Sequence, residues 1–160
     1  MKTLIRNGLV VNATGTGLAD VLVDGDTIAA VLAPGSSLLG FDVAANVDTV
    51  IDATGKYVIP GGVDAHTHME MPFGGTNASD TFETGTRAAA IGGTTSIIDF
   101  VVQYPDQNIL DQYGLWHEKA AGNCAIDYGF HQILSDIQPS SLTAMDELIE
   151  EGVTLSLIHI

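Results

Sequence analysis

Apolar and polar residues fall into two textures along the chain. Over residues 1–55 the apolar runs are short and rich in β-branched residues. LVV, DVLVDGDTIAAVL and TVIDATG are separated by turn dipeptides, a pattern that predicts strands. Asn7-Gly8 and Asp24-Gly25 carry hairpin-turn chemistry, and APGSSLLG (33–40) reads as a loop. Nothing in this segment repeats at a helical period.

From Lys56 the runs lengthen and alternate in kind. KYVIPGGVDAH reads as an apolar strand carrying Pro60 and two glycines. SDTFETGTRAAAIGG predicts a helix: Asp80 and Glu83 complement the dipole at its start, alanines favour its middle, and Gly92-Gly93 stops it. TTSIIDFVV is a strand, Asn108 to Ala121 a helix closed by Gly122, and CAIDYGF another strand. Pro139 and Ser140 open a helix with Leu142, Met145, Leu148 and Ile149 on one face. Asp146, Glu147, Glu150 and Glu151 fall on its solvated side, and VTLSLI is a fourth strand. The order β-α-β-α-β-α-β, with nearly continuous apolar strands, predicts a parallel sheet covered by helices. A doubly wound sheet and half of a (β/α)8 barrel both satisfy it; four strands do not close such a barrel. The expected organisation is a β segment over 1–55 and an α/β segment over 56–160.

Composition narrows the partners. Apolar residues make up 46% of the chain, enough for a packed core. The 5 Lys+Arg against 20 Asp+Glu give a net charge of -15, which argues against nucleic acid and anionic lipid. The single cysteine, Cys124, forms no internal disulfide and sits in an apolar run, as a core residue would. No apolar run is long enough for a membrane span, and the first residues lack a signal-type core. A cytoplasmic protein is expected.

The chemistry concentrates in GGVDAHTHMEMPFGG, residues 61–75. Residues i and i+2 of a strand share a face, so Asp64, His66 and His68 point together near the strand's carboxyl end. In a barrel, active sites are built there. Two converging imidazoles suit a divalent metal, zinc being the natural choice. Asp64 either orients a ligand or is a buried acid tied to nearby backbone. A bare H-x-H is weak, but the apolar strand, the Pro-Gly-Gly bend and the glycine-rich exit sharpen it. Other candidates read as structural: His131 as a satisfied histidine past the third strand, His117 as a surface group, Asp99 as a buried acid bonded to neighbouring strands, and Arg87 as an ion-pair partner.

PGGVDAHTHMEMPFGGTNASDTFETGTRAAAIGGTTSIIDF, continuing through WHEKAAGNCAIDYGFH and MDELIEEGVT, closely resembles the dihydropyrimidinases and D-hydantoinases, cyclic amidohydrolases of the amidohydrolase superfamily. The resemblance implies the first half of a (β/α)8 TIM-type barrel preceded by N-terminal strands of a small β-sandwich subdomain. It implies two zinc ions per subunit, with His66 and His68 as ligands of the more buried one. It implies a small-molecule cyclic ureide or imide substrate, opened to an N-carbamoyl amino acid, and a homo-oligomer, a tetramer in the family. Met71 and Phe73, in the loop after the histidines, become substrate-loop candidates. Within the superfamily, Met69 and Glu70 after H-x-H disfavour a dihydroorotase, which carries Arg there; allantoinase is the other rival.

The resemblance stops after Thr154. The family's next residues are Ser, an apolar residue and a Lys that is carbamylated and bridges the metals; this chain has Leu155, Ser156 and Leu157. The family's remaining ligands, including the aspartate that handles the proton, belong to strands beyond Ile160, so no catalytic residue is expected within this chain. The abrupt change predicts that residues 155–160 are foreign, and His159 is not offered as a ligand. Leu157 also favours a second class, a non-catalytic scaffold that kept the fold and lost the metal; His66 and His68 oppose it.

Overall fold

Strand β1 (Lys2–Asn12) organises the first of two units, Met1–Pro60 and Gly61–Ile160. The structure, a computed structural model, describes residues 1–35 and 42–158. Strand β1 pairs antiparallel with β2 (Gly15–Asp24), which pairs with β3 (Thr27–Leu32). On its other side β1 runs parallel to β4 (Thr49–Asp52) and β5 (Tyr57–Val58). A short 3-10 turn spans Ala44–Asn46, and Leu4, Leu22 and Val43 form the buried core of this unit. Asp24-Gly25 makes the expected turn between β2 and β3. Asn7-Gly8 does not turn the chain; it lies inside β1, at a register shift between Ile5 and Gly8. The reason is local: Asn7 has φ 60, and its N–H donates to the buried Asp20 Oδ1 at 2.7 Å. A bulge, stapled by a carboxylate, replaces the hairpin. Of the expected loop 33–40, residues 36–40 lie outside the described residues.

The apolar stretch KYVIPGGVDAH is two strands, not one. Pro60 has no N–H for a ladder, so pairing ends at Val58 and resumes in β6 (Gly62–Thr67). After β6 the exit loop is a small hairpin, β7 (Pro72–Phe73) with β8 (Thr76–Asn77). Gly74 and Gly75 turn it with φ 59 and 81, backbone that suits a two-residue turn and that glycine adopts without strain. Helix α1 (Phe82–Gly92) follows, then β9 (Thr94–Val102), α2 (Ile109–Ala120), β10 (Asp127–Leu134), α3 (Pro139–Glu150) and β11 (Ser156–Ile158). The sheet order is β11-β10-β9-β6, every pair parallel. This is an α/β unit whose four strands form a half-barrel sheet.

The helices begin where the side chains cap them. Thr81, rather than Asp80, is the N-cap of α1 in a box with Thr84, and Asn108 caps α2. Phe82, Trp116 and Ala120 bury their side chains with Ile97, Phe100, Val101 and Phe130 of the strands. Cys124 packs against this cluster. Helix α3 buries Ser141, Ala144 and Leu148, and leaves Leu142 at 63% and Ile149 at 62% exposure. Leu142 and Ile149 are seven apart and share a flank, so the buried face is rotated from the one the leucines and isoleucine mark. The acidic residues of α3 are exposed, as expected. His117 is half-buried, not a surface group: its ring lies 4.7 Å from Tyr113 and 4.9 Å from Phe130. Among the described residues no helix is long and apolar enough to cross a membrane.

Candidate functional site

The β6–β9 pair carries two kinds of chemistry on its two faces. His66 and His68 lie on one face with ring centroids 5.0 Å apart, edge to face. Phe100 of β9 supports both, 4.3 Å from His66 and 5.5 Å from His68. The paired H-x-H therefore converges as the strand period demands. Asp64 behaves differently. It is exposed, not buried, and its Oδ1 accepts the His66 N–H at 3.2 Å, so it is tied to nearby backbone.

The histidines open on a cavity of about 470 Å³. Met71 and Phe73 line it with them, as do Tyr104, Ile133 and Leu157. Phe73 is 76% exposed, on the tip of the β7–β8 hairpin. Tyr104 escaped the sequence reading: its hydroxyl donates to the Pro72 carbonyl at 2.9 Å and ties the hairpin to the end of β9. A tyrosine two residues past a strand's carboxyl end was the available signal.

Two nitrogens here lack partners. His68 Nδ1 and His131 Nδ1 are buried without a hydrogen bond. Burial first, and the neighbouring His66 second, hold both imidazoles below their usual pKa. Neutral imidazoles with free lone pairs are what a metal requires. His131 meets Phe100 edge-on at 5.2 Å, and its unpartnered Nδ1 departs from the satisfied histidine expected. Among the described residues no group of three or more His, Cys, Asp or Glu is arranged to hold a metal. His66 and His68 thus fit part of a zinc shell, and a complete one needs further ligands.

On the other face, Asp99 is fully buried. It accepts from Thr67 Oγ1, Met69 N and Trp116 Nε1, so it does bond to the neighbouring strand as expected. Burial still pushes its carboxyl up to about 6, against those hydrogen bonds. Arg87 pairs with Glu83 at 3.0 Å on an exposed helix face, far from a substrate clamp.

Residues 57–155 match the model of the amidohydrolase family. The chain belongs to the amidohydrolase family. This amidohydrolase chain is 58% identical over 153 residues to a D-hydantoinase of Streptomyces coelicolor, covering 96% of the chain and 32% of that relative. It is 45% identical to a D-hydantoinase of Geobacillus stearothermophilus, of which it covers 31%. The crystal structure of a dihydropyrimidinase from Brevibacillus agri superposes with a TM-score of 0.87 at 48% identity, over 98% of this chain and 32% of that one. The chain thus spans about a third of the length of these relatives. The family match ends at residue 155, two positions before Leu157. Leu157 lies opposite Ile133 in the β10–β11 register and on the wall of the histidine cavity, where an apolar side chain supplies no metal ligand.

Proposed function

We propose that this chain carries the first metal ligands and part of the substrate wall of a zinc-dependent cyclic amidohydrolase. The substrates are dihydropyrimidines or 5-substituted hydantoins, opened at a ring C–N bond to N-carbamoyl amino acids. One observation supports this most: two imidazoles 5.0 Å apart, with His68 Nδ1 unpartnered, facing an apolar cavity. His66 and His68 would hold the more buried of two metals. Zinc held by these residues would supply Lewis acidity, for polarising a carbonyl and for making water a nucleophile near neutral pH. Met71 and Phe73, on the cavity wall, would meet the ring substituent and exclude water. Tyr104 holds their hairpin in place. The names of the relatives and the fit to the dihydropyrimidinase structure support the same reaction class.

The complete protein would close the half barrel, complete a small β-sandwich around the β1–β5 sheet, and assemble as a cytoplasmic homotetramer. Residues 155–160 would be foreign to it. Leu157 supports a second reading, a non-catalytic relative without metal. Zinc content of the product of the uninterrupted reading frame separates the two: about two ions per subunit supports the enzyme, and none supports the scaffold. The 160-residue chain alone should turn over neither dihydrouracil nor hydantoin, because it lacks the bridging lysine and the general acid–base. Measurable hydrolysis by the purified chain contradicts this.

A further inference from the structure

The β6–β9 register slips between Asp64 and Thr67, just where regular ladder bonds would fix His66. Another anchor takes over. Thr67 pairs with Asp99 in the resumed register. Asp99 Oδ2 accepts from Thr67 Oγ1 at 2.9 Å and from Met69 N at 2.7 Å. Those donors stand on either side of His68, so one oxygen of β9 ties down both neighbours of a ligand. The other oxygen, Oδ1, accepts from Trp116 Nε1 at 3.1 Å, a bond to α2 that leaves the Oδ2 contacts to β6 separate. Asp99 and Thr67 are both buried, and all three donors are neutral. A third contact acts on the same segment: a Cβ on Gly85 of α1 would collide with the Met69 side chain, so glycine there leaves room for it.

We propose that Asp99, acting through Thr67 and the Met69 N–H, is a positioning residue that sets the backbone of the His66–His68 pair and thereby its affinity for metal. The carboxylate touches neither metal nor substrate. It lies on the strand face opposite the imidazoles and acts across the backbone. Outer contacts of this kind typically change metal affinity by about ten- to a hundredfold when lost.

The inference rests on the reading of His66 and His68 as ligands, and the test separates the two. Zinc is titrated calorimetrically into the metal-free product of the uninterrupted reading frame, with thermal unfolding recorded alongside, for wild type, Thr67→Val, Thr67→Ala, Thr67→Ser, Trp116→Phe and the double variant H66A/H68A. Thr67→Val and Thr67→Ala should each weaken zinc about tenfold, and Thr67→Ser should restore it to within about twofold. Either of the first two serves if the other does not fold. Trp116→Phe should lower the unfolding midpoint and leave the zinc constant within about twofold, since it spares Oδ2. Equal zinc constants in wild type and Thr67→Val overturn the inference and leave the metal reading intact. So does a Trp116→Phe loss as large as that of Thr67→Val, which marks general loosening. A wild-type chain that binds no zinc, or binds it equally well as H66A/H68A, overturns the metal reading and the inference together.

Discussion

The two faces of the parallel sheet meet opposite fates. On the cavity side, His66 is exposed, and His68 and His131 keep buried nitrogens without partners. On the helix side, Thr67, Asp99 and Trp116 are buried and joined by hydrogen bonds. The cavity side is the one proposed to hold metal, and the hydrogen bonds of Asp99 on the helix side are proposed to hold it still. Stability and the proposed metal site should therefore respond separately to substitutions on the two faces, although the residues alternate one by one.

The sharpest way to break this contrast is to exchange polarity on the helix side. Asp99→Leu would leave the Thr67 hydroxyl, the Met69 N–H and the Trp116 indole without an acceptor in a dry layer. The expected cost is about 3 kcal/mol or more in urea unfolding. On the cavity side, His66→Ala should cost less than about 1 kcal/mol, because its ring is exposed. Similar losses for the two variants would erase the distinction between the faces.

A second substitution probes the cavity side. Leu157→Lys places an amine on the wall shared with His66 and His68. With bicarbonate present, zinc affinity should rise about tenfold, since a carbamylated lysine adds a carboxylate ligand. An unchanged zinc constant would show that Leu157 does not stand where the bridging group belongs.

The smallest effect is a pH dependence. Burial raises the Asp99 carboxyl from 3.8 to about 6. The folded state holds that proton more tightly than the unfolded chain does. Its contribution to stability is therefore full at low pH and is lost as pH climbs through this window. Between about pH 5 and about pH 7 the wild type should lose roughly 1 kcal/mol more than Asp99→Asn in paired denaturation curves. Parallel curves would mean that the hydrogen bonds, not burial, govern this carboxyl.

Much of the second unit could be read from the sequence, because its signals are local. Strand β9 runs over Thr94–Val102, just the stretch TTSIIDFVV, since Gly92-Gly93 ends the helix before it. The histidine pair was legible through its spacing only together with the apolar strand, the Pro-Gly-Gly bend and the glycine-rich exit around it. Readings failed where distant residues decide. Asn7-Gly8 has hairpin chemistry, but Asp20, 13 residues on, takes its N–H and makes a bulge. His117 carries a polar label, yet Phe130 covers its ring. Leu142 and Ile149 look like core until the strands choose another face of α3. The reach of Asp99 to Thr67 spans 32 residues, a separation at which no local pattern speaks.

The register slip in β6 has one more consequence. It makes the number of residues between Asp64 and Thr67 as binding as their identities. Deleting Ala65 would match two steps of β6 to the two of β9, so Thr67 would still meet Asp99 but the bulge that aims His66 would be gone. Natural or engineered length changes here would re-aim His66 without replacing it, whereas the hairpin tip at Gly74-Gly75 has room to grow.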